Sequence, residues 1–269
     1  MTKPRSKHER SAAFAKRAWK QQRSTAVWLA AIVGAALGMV VFIGAGEMNA
    51  ITNLSDLIPD QQAGLVTVHA SDGTVVSMTT YLMTMAPAML GMLIAVVATL
   101  TLPGVVADDI SGGGIEVLLA SPIPRRALFT AYLGAGLLLT AASWGVATLS
   151  FGVAATLTAS IIGASTTLSF AYIAALIILP LSMGVWSATA TLFGALLYPG
   201  SLESKAGMNG GPIRFLAIFP ALIIVPALLA FPSATLTMLA VVLAVTIAAS
   251  VLLIFLTARG FRSTRVLST

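Results

Sequence analysis

Cysteine is absent from all 269 residues, and only 9% of them are charged. The first absence excludes disulfides and thiolate metal sites and leaves the compartment open. The second decides the class. Soluble domains carry about a quarter charged residues, whereas this chain is 58% hydrophobic with a mean hydropathy of +0.96. Apolar runs of roughly twenty residues recur along its length, which describes a multi-pass protein of the cell membrane.

Other absences narrow the function. There is no Gly-x-x-x-x-Gly-Lys-Ser/Thr phosphate loop, so the chain shows no site for hydrolysing nucleotide. The two histidines, His8 and His69, are predicted on opposite sides of the membrane and cannot form a His–His metal site within one subunit. No serine or cysteine triad assembles. No strongly charged residue stands at the centre of an apolar run, where proton- and ion-coupled carriers keep such groups despite their cost. A self-powered carrier is therefore disfavoured, a facilitated channel stays open, and no cofactor or enzymatic activity is expected.

Present instead is a strongly basic balance, +6 with an isoelectric point of about 10.1. In a membrane chain this is first a topology signal, and nucleic acid is not an expected partner. Residues 1–24 hold Lys3, Arg5, Lys7, Arg10, Lys16, Arg17, Lys20 and Arg23 against Glu9 alone. Residues 12–23 read as an amphipathic interfacial helix with Phe14, Ala15, Ala18 and Trp19 on one side. A disordered basic tail held by anionic lipid is the alternative.

Six transmembrane helices are expected within 25–257, at 26–45, 81–105, 127–157, 168–197, 215–231 and 236–256, with a basic tail at 258–269. Gly34 and Gly38 form a small-xxx-small pattern in the first, suited to close packing within the subunit or between two copies. The loop 47–80 carries Glu47, Asp56, Asp60 and Asp72 and no lysine or arginine. Alternation at 65–69 and 74–78 around Asp72-Gly73 predicts a small hairpin, and a short helix from Leu54 is the other reading. Met83, Met85, Met89 and Met92 suit ordinary packing better than a pocket. Pro180 is expected to kink the fourth span. Placing 1–24, 106–126, 198–214 and the tail on one side gathers all 15 lysines and arginines there. The positive-inside rule then puts both termini in the cytoplasm. Ser143, Thr148, Ser187 and Thr191 are the polar candidates for a path through an otherwise apolar interior.

The one polar interior segment with a motif runs from Asp108 to Arg126. Gly112-Gly113-Gly114 allows a sharp reversal. Ile115 to Ala120 can make one or two helical turns, with Ile115, Leu118 and Leu119 sharing an apolar face. Such a helix either docks a cytoplasmic partner or lies on the lipid surface. The segment resembles the first cytoplasmic loop of type-2 ABC exporter permeases. Asp109 stands where that family has an acid, Gly113-Gly114-Ile115-Glu116-Val117-Leu118-Leu119 matches its Gly-Thr-Leu-Glu-x-Leu-Leu, and Ser121-Pro122 with Arg125-Arg126 completes the exit. Ser111, Gly112 and Gly114 depart from the pattern and loosen the turn.

The resemblance implies a permease half working with a second permease subunit and separate cytoplasmic ATPases, which bind the ATP. Glu116 would touch the ATPase or the chain's own interfacial helix. Leu118 and Leu119 would seat in the ATPase groove as a coupling helix between spans two and three. Arg125 and Arg126 would anchor the third span at headgroups. Gly34 and Gly38 would pack the dimer. A re-entrant turn is expected at 227–235. A pore without an ATPase and a scaffold recruiting a cytoplasmic protein are the competing functions.

Overall fold

A computed structural model describes residues 20, 24–42, 65–111, 125–197, 212–230 and 234–260. The expected interfacial helix at 12–23, the coupling helix with Glu116, Leu118 and Leu119, and the basic tail beyond 260 lie outside the described residues. Six long helices follow one another: α1 (Ser24–Phe42), α2 (Ser77–Ser111), α3 (Arg125–Ile161), α4 (Phe170–Leu197), α5 (Pro212–Ala230) and α6 (Thr235–Gly260). By their described residues, five of them, α1, α2, α3, α4 and α6, are long and apolar enough to cross a membrane. The chain is thus a helical membrane protein. In lipid the backbone must satisfy its own hydrogen bonds, which is why these apolar runs become helices.

Glycines and hydrogen bonds fix the relative directions. A Cβ on Gly34 would collide with Ala147 and Ser150 of α3, and one on Gly38 would stand 2.6 Å from the Phe151 carbonyl and 2.9 Å from the Ala155 nitrogen. Residue numbers rise together, so α1 and α3 run parallel. In the same way Met83 meets Tyr172, and Gly91 and Ile94 meet Met183 and Gly184, so α2 runs parallel to α4. Trp144 meets Ile177 and Thr140 meets Gly184, so α3 and α4 are antiparallel. Of the two expected roles of Gly34 and Gly38, this packing supplies the close approach within the subunit. Their missing side chains let α3 of the same chain approach.

A two-stranded ribbon caps one end of the bundle. β1 (Val66–His69) pairs antiparallel with β2 (Ser165–Leu168), Val66 opposite Leu168 and His69 opposite Ser165. The expected local hairpin is present only as the bridge between His69 and Val75, and the main partner lies about a hundred residues away in sequence. At the tip, Thr74 donates to Asp72 Oδ1 from its amide at 2.9 Å and its hydroxyl at 2.6 Å. Gly73 takes a φ of 82° there. These two donors hold the Asp72 carboxyl below the usual carboxylate range.

The helix ends at the ribbon follow local chemistry. α3 stops where Gly163 adopts a φ of 71°. Ala164 N–H then bonds Ala159 C=O at 2.9 Å and Gly163 N–H bonds Ser160 C=O at 3.3 Å, a Schellman closure. Ser169 caps α4, its hydroxyl accepting from the Tyr172 amide at 3.1 Å. Thr80 in the first turn of α2 accepts from the Val68 amide at 3.0 Å and ties β1 to the bundle.

The core is centred on α2, 72% of whose apolar window is buried against 17% for α6. Phe42, Val68, Leu90, Ile94, Phe151 and Tyr172 form one packed cluster, and Met85, Leu179, Met183, Ala221, Ile224 and Leu239 a second. Lipid tails are as apolar as these side chains, so close packing and interhelical hydrogen bonds hold the helices together. α5 continues through Pro226 to Ala230, which corrects the turn expected to begin at 227. A proline φ near −65° fits a helix, and the lost hydrogen bond and the crowded carbonyl four residues earlier bend the helix without ending it.

Candidate functional site

The sequence motif and the bundle interior offer separate candidates. Asp108 and Asp109 lie in the final turn of α2, and Arg125 and Arg126 open α3. These ends stand opposite the ribbon, because β1 leads into α2 and β2 follows α3. An acid at a helix C-terminus meets the negative end of the helix dipole, so α2 itself gives Asp108 and Asp109 no local electrostatic reward.

Inside the bundle, hydrogen bonds concentrate at three proline breaks. A proline removes the amide that would bond the carbonyl four residues earlier. For Pro87 of α2 that carbonyl is Met83, and it accepts from the Tyr172 hydroxyl of α4 at 2.9 Å. For Pro220 of α5 it is Leu216, and it accepts from the Trp186 indole of α4 at 3.2 Å. The next carbonyl, Ala217, accepts from the Ser187 hydroxyl at 2.6 Å. At Pro180 of α4 the carbonyl three residues earlier, Ile177, accepts from the Trp144 indole of α3 at 3.0 Å. Helix α4 takes part in all four bonds. Tyrosine and tryptophan combine a large apolar body with one donor, which suits them to this task in a lipid-surrounded core.

The polar candidates for a path divide on inspection of their partners. Ser187 bonds the Ala217 carbonyl, and Thr191 bonds the Ser187 carbonyl within its own helix. Their hydroxyls serve the backbone. Ser143 and Thr148 of α3 have buried hydroxyls without a hydrogen-bond partner, as do Thr140 and Thr79. Most other described hydroxyls in the spans, such as Ser150, Thr158, Thr189 and Ser250, bond a carbonyl one turn back. Thr140 sits where α3 meets α4, against Gly184, and Ser143 immediately precedes Trp144. Met83 and Met85 are buried in the two packed clusters, as ordinary packing predicts.

Among the described residues no three of His, Cys, Asp or Glu gather into a metal-binding group. His69 Nδ1 lies 3.4 Å from the Gly73 carbonyl at the ribbon tip. Tyr172, Trp144 and Trp186 were not singled out by the sequence reading. The signal was there: a tyrosine or tryptophan within a span needs a partner for its polar atom, and a proline in a neighbouring span offers a carbonyl.

The fold thus defines a helical membrane bundle of five apolar helices long enough to span, plus α5 with Pro220 and Pro226 inside it. No known protein family matches the chain, and neither curated proteins nor solved structures provide a match.

Proposed function

We propose that this chain is the membrane-spanning permease subunit of an ABC transporter that exports a hydrophobic or amphipathic substrate. A separate cytoplasmic ATPase docks on the loop around 108–126 and binds the ATP, and a second permease subunit completes the path. In this reading α5 is the fifth of six crossings, both termini are cytoplasmic, and the membrane is the cell membrane.

The single observation carrying the proposal is the segment itself. Asp109 lies in the last turn of α2, Arg125-Arg126 open α3, and the run from Gly113 to Leu119 with Ser121-Pro122 falls in the sequence between them. Three physical points support it. Every lysine and arginine falls in the segments assigned to the same side as this loop. Helix α2 is the most buried of the candidate spans, so a push delivered at its C-terminal end would reach the middle of the bundle. The two carboxylates at that end gain nothing from their own helix and suit a cationic partner. With Gly34 and Gly38 facing α3, the second subunit would approach through exposed faces elsewhere, such as Trp28 and Ile32 of α1 or Phe215 and Phe219 of α5.

The test is a double substitution, Glu116→Lys with Leu118→Asp. The wild-type chain should co-purify with a phosphate-loop ATPase and stimulate its turnover. The variant should insert at the same level and lose the stimulation. Unchanged stimulation would remove the docking assignment, and a chain that conducts its substrate with no ATPase would favour a pore.

A further inference from the structure

We infer that the proline breaks in α2 and α5 are latched bending joints, with α4 as the fixed post that carries the latches. The inference does not depend on an ATPase partner. It rests on which carbonyls the α4 side chains meet. Two of them, Met83 and Leu216, are the carbonyls deprived of an amide by Pro87 and Pro220, and Tyr172 and Trp186 meet each in turn. Ser187 meets the adjoining Ala217.

A helix interrupted by proline bends at low cost provided the freed carbonyl keeps a partner. Here the partner belongs to another helix. Bending α5 at Pro220 therefore requires Leu216 and Ala217 to leave Trp186 and Ser187, and bending α2 at Pro87 requires Met83 to leave Tyr172. The bonds hold one arrangement of each joint, and releasing them frees the other. Helix α4 is itself steadied at Pro180 by Trp144 from α3, so the post is braced from the opposite side. Packing adds a limit on where motion can occur. A Cβ on Gly184 would stand 2.6 Å from the Thr140 methyl and 2.7 Å from an Ile94 methyl. Helices α2, α3 and α4 are thus pinned together at that level.

The absence of cysteine makes the test direct, because spin labels can be added with no native thiol to remove. One label goes on α6 at Val245→Cys and the other on α5, either before the break at Phe215→Cys or after it at Ile223→Cys. All three positions are exposed. Distances are read by pulsed electron resonance in lipid nanodiscs, diluted with unlabelled chain so that only pairs within one chain contribute. The parent should give one narrow distance for each pair. Trp186→Phe with Ser187→Ala should add a second distance for the Phe215 pair, exceeding about a fifth of the spins, since a minor state normally stays below about 10%. The Ile223 pair should stay narrow. Adding Pro220→Ala restores the amide and should return the Phe215 pair to one distance.

An unchanged Phe215 pair in the latch variant would overturn the inference. So would a broadening that Pro220→Ala leaves in place, since that reports general loosening. If the double variant fails to insert, Tyr172→Phe poses the same question at Pro87. Labels at Val75 and Leu100 then flank the break, and Pro87→Ala serves as the rescue.

Discussion

Replacing Tyr172 with phenylalanine deletes one oxygen and keeps the ring, so its cost isolates the bond to Met83. Tyr172 is among the largest fully buried side chains, and its hydroxyl lies 2.9 Å from the Met83 carbonyl. Interhelical hydrogen bonds in membrane bundles are worth about 0.6 kcal/mol on average and about 1.7 at most. This one belongs at the upper end, because Pro87 denies the carbonyl its usual amide and Met83 and Tyr172 are both buried. The expected loss is about 1.5 kcal/mol, which is roughly tenfold in the unfolding equilibrium. Equilibrium denaturation in mixed detergent micelles measures it. A cycle with Pro87→Ala supplies the control, since the restored amide gives the carbonyl a second donor. In that background Tyr172→Phe should cost under about 0.5 kcal/mol, a coupling within the range seen for residues that share a partner. A loss below about 0.5 kcal/mol in the parent, or an equal loss in both backgrounds, would mean that the hydroxyl does not serve the carbonyl freed by Pro87.

Gly38→Leu should cost about 1–3 kcal/mol by overpacking, because α3 backbone atoms already stand 2.6 and 2.9 Å from its Cβ position. Gly152→Leu should stay within about 0.5 kcal/mol, since open space surrounds that position. Both are read by the same denaturation. Ser169→Ala removes the cap of α4 and should cost about 1 kcal/mol, with hydrogen exchange rising first at the Tyr172 amide. Asp72 has a folded-state pKa held down by Thr74, by its hydroxyl first and its amide second. The contribution of that carboxylate to the turn is therefore present at neutral pH. It is lost as pH falls below the ordinary carboxylate value and through the depressed one. Thr74→Ala should raise the Asp72 pKa toward the ordinary value in a carbon-13 titration of its carboxyl.

Much of the fold could be read from apolar runs alone, because lipid forces any long uncharged segment to close its own hydrogen bonds. The expected spans at 127–157 and 168–197 correspond to α3 and α4, whose ends differ by a few residues. Capping chemistry outside the apolar core sets those ends, at Gly163 and Ser169. The ribbon was half legible. Alternation at 65–69 marks a strand, but period-two patterning says nothing about a partner, and no strand was expected at 165–168. Gly34 and Gly38 announced a close approach without saying to what, since a small-xxx-small pattern serves contacts within and between chains equally. The proline latches were hidden for the same reason. Pro87, Pro180 and Pro220 are visible in the sequence, but which donor meets each carbonyl depends on helix neighbours. Of the coupling residues, Asp109 has a place in α2, while Glu116, Leu118 and Leu119 fall outside the described residues.

The most direct measurement on the central claim is ATP turnover in the chain purified from its native membrane. Wild type and the Glu116→Lys, Leu118→Asp variant are taken at equal insertion level. Wild type should carry a stoichiometric ATPase subunit whose turnover responds to the chain, and the variant should lose both subunit and response. Equal turnover in the two preparations, or no ATPase in either, would contradict the claim.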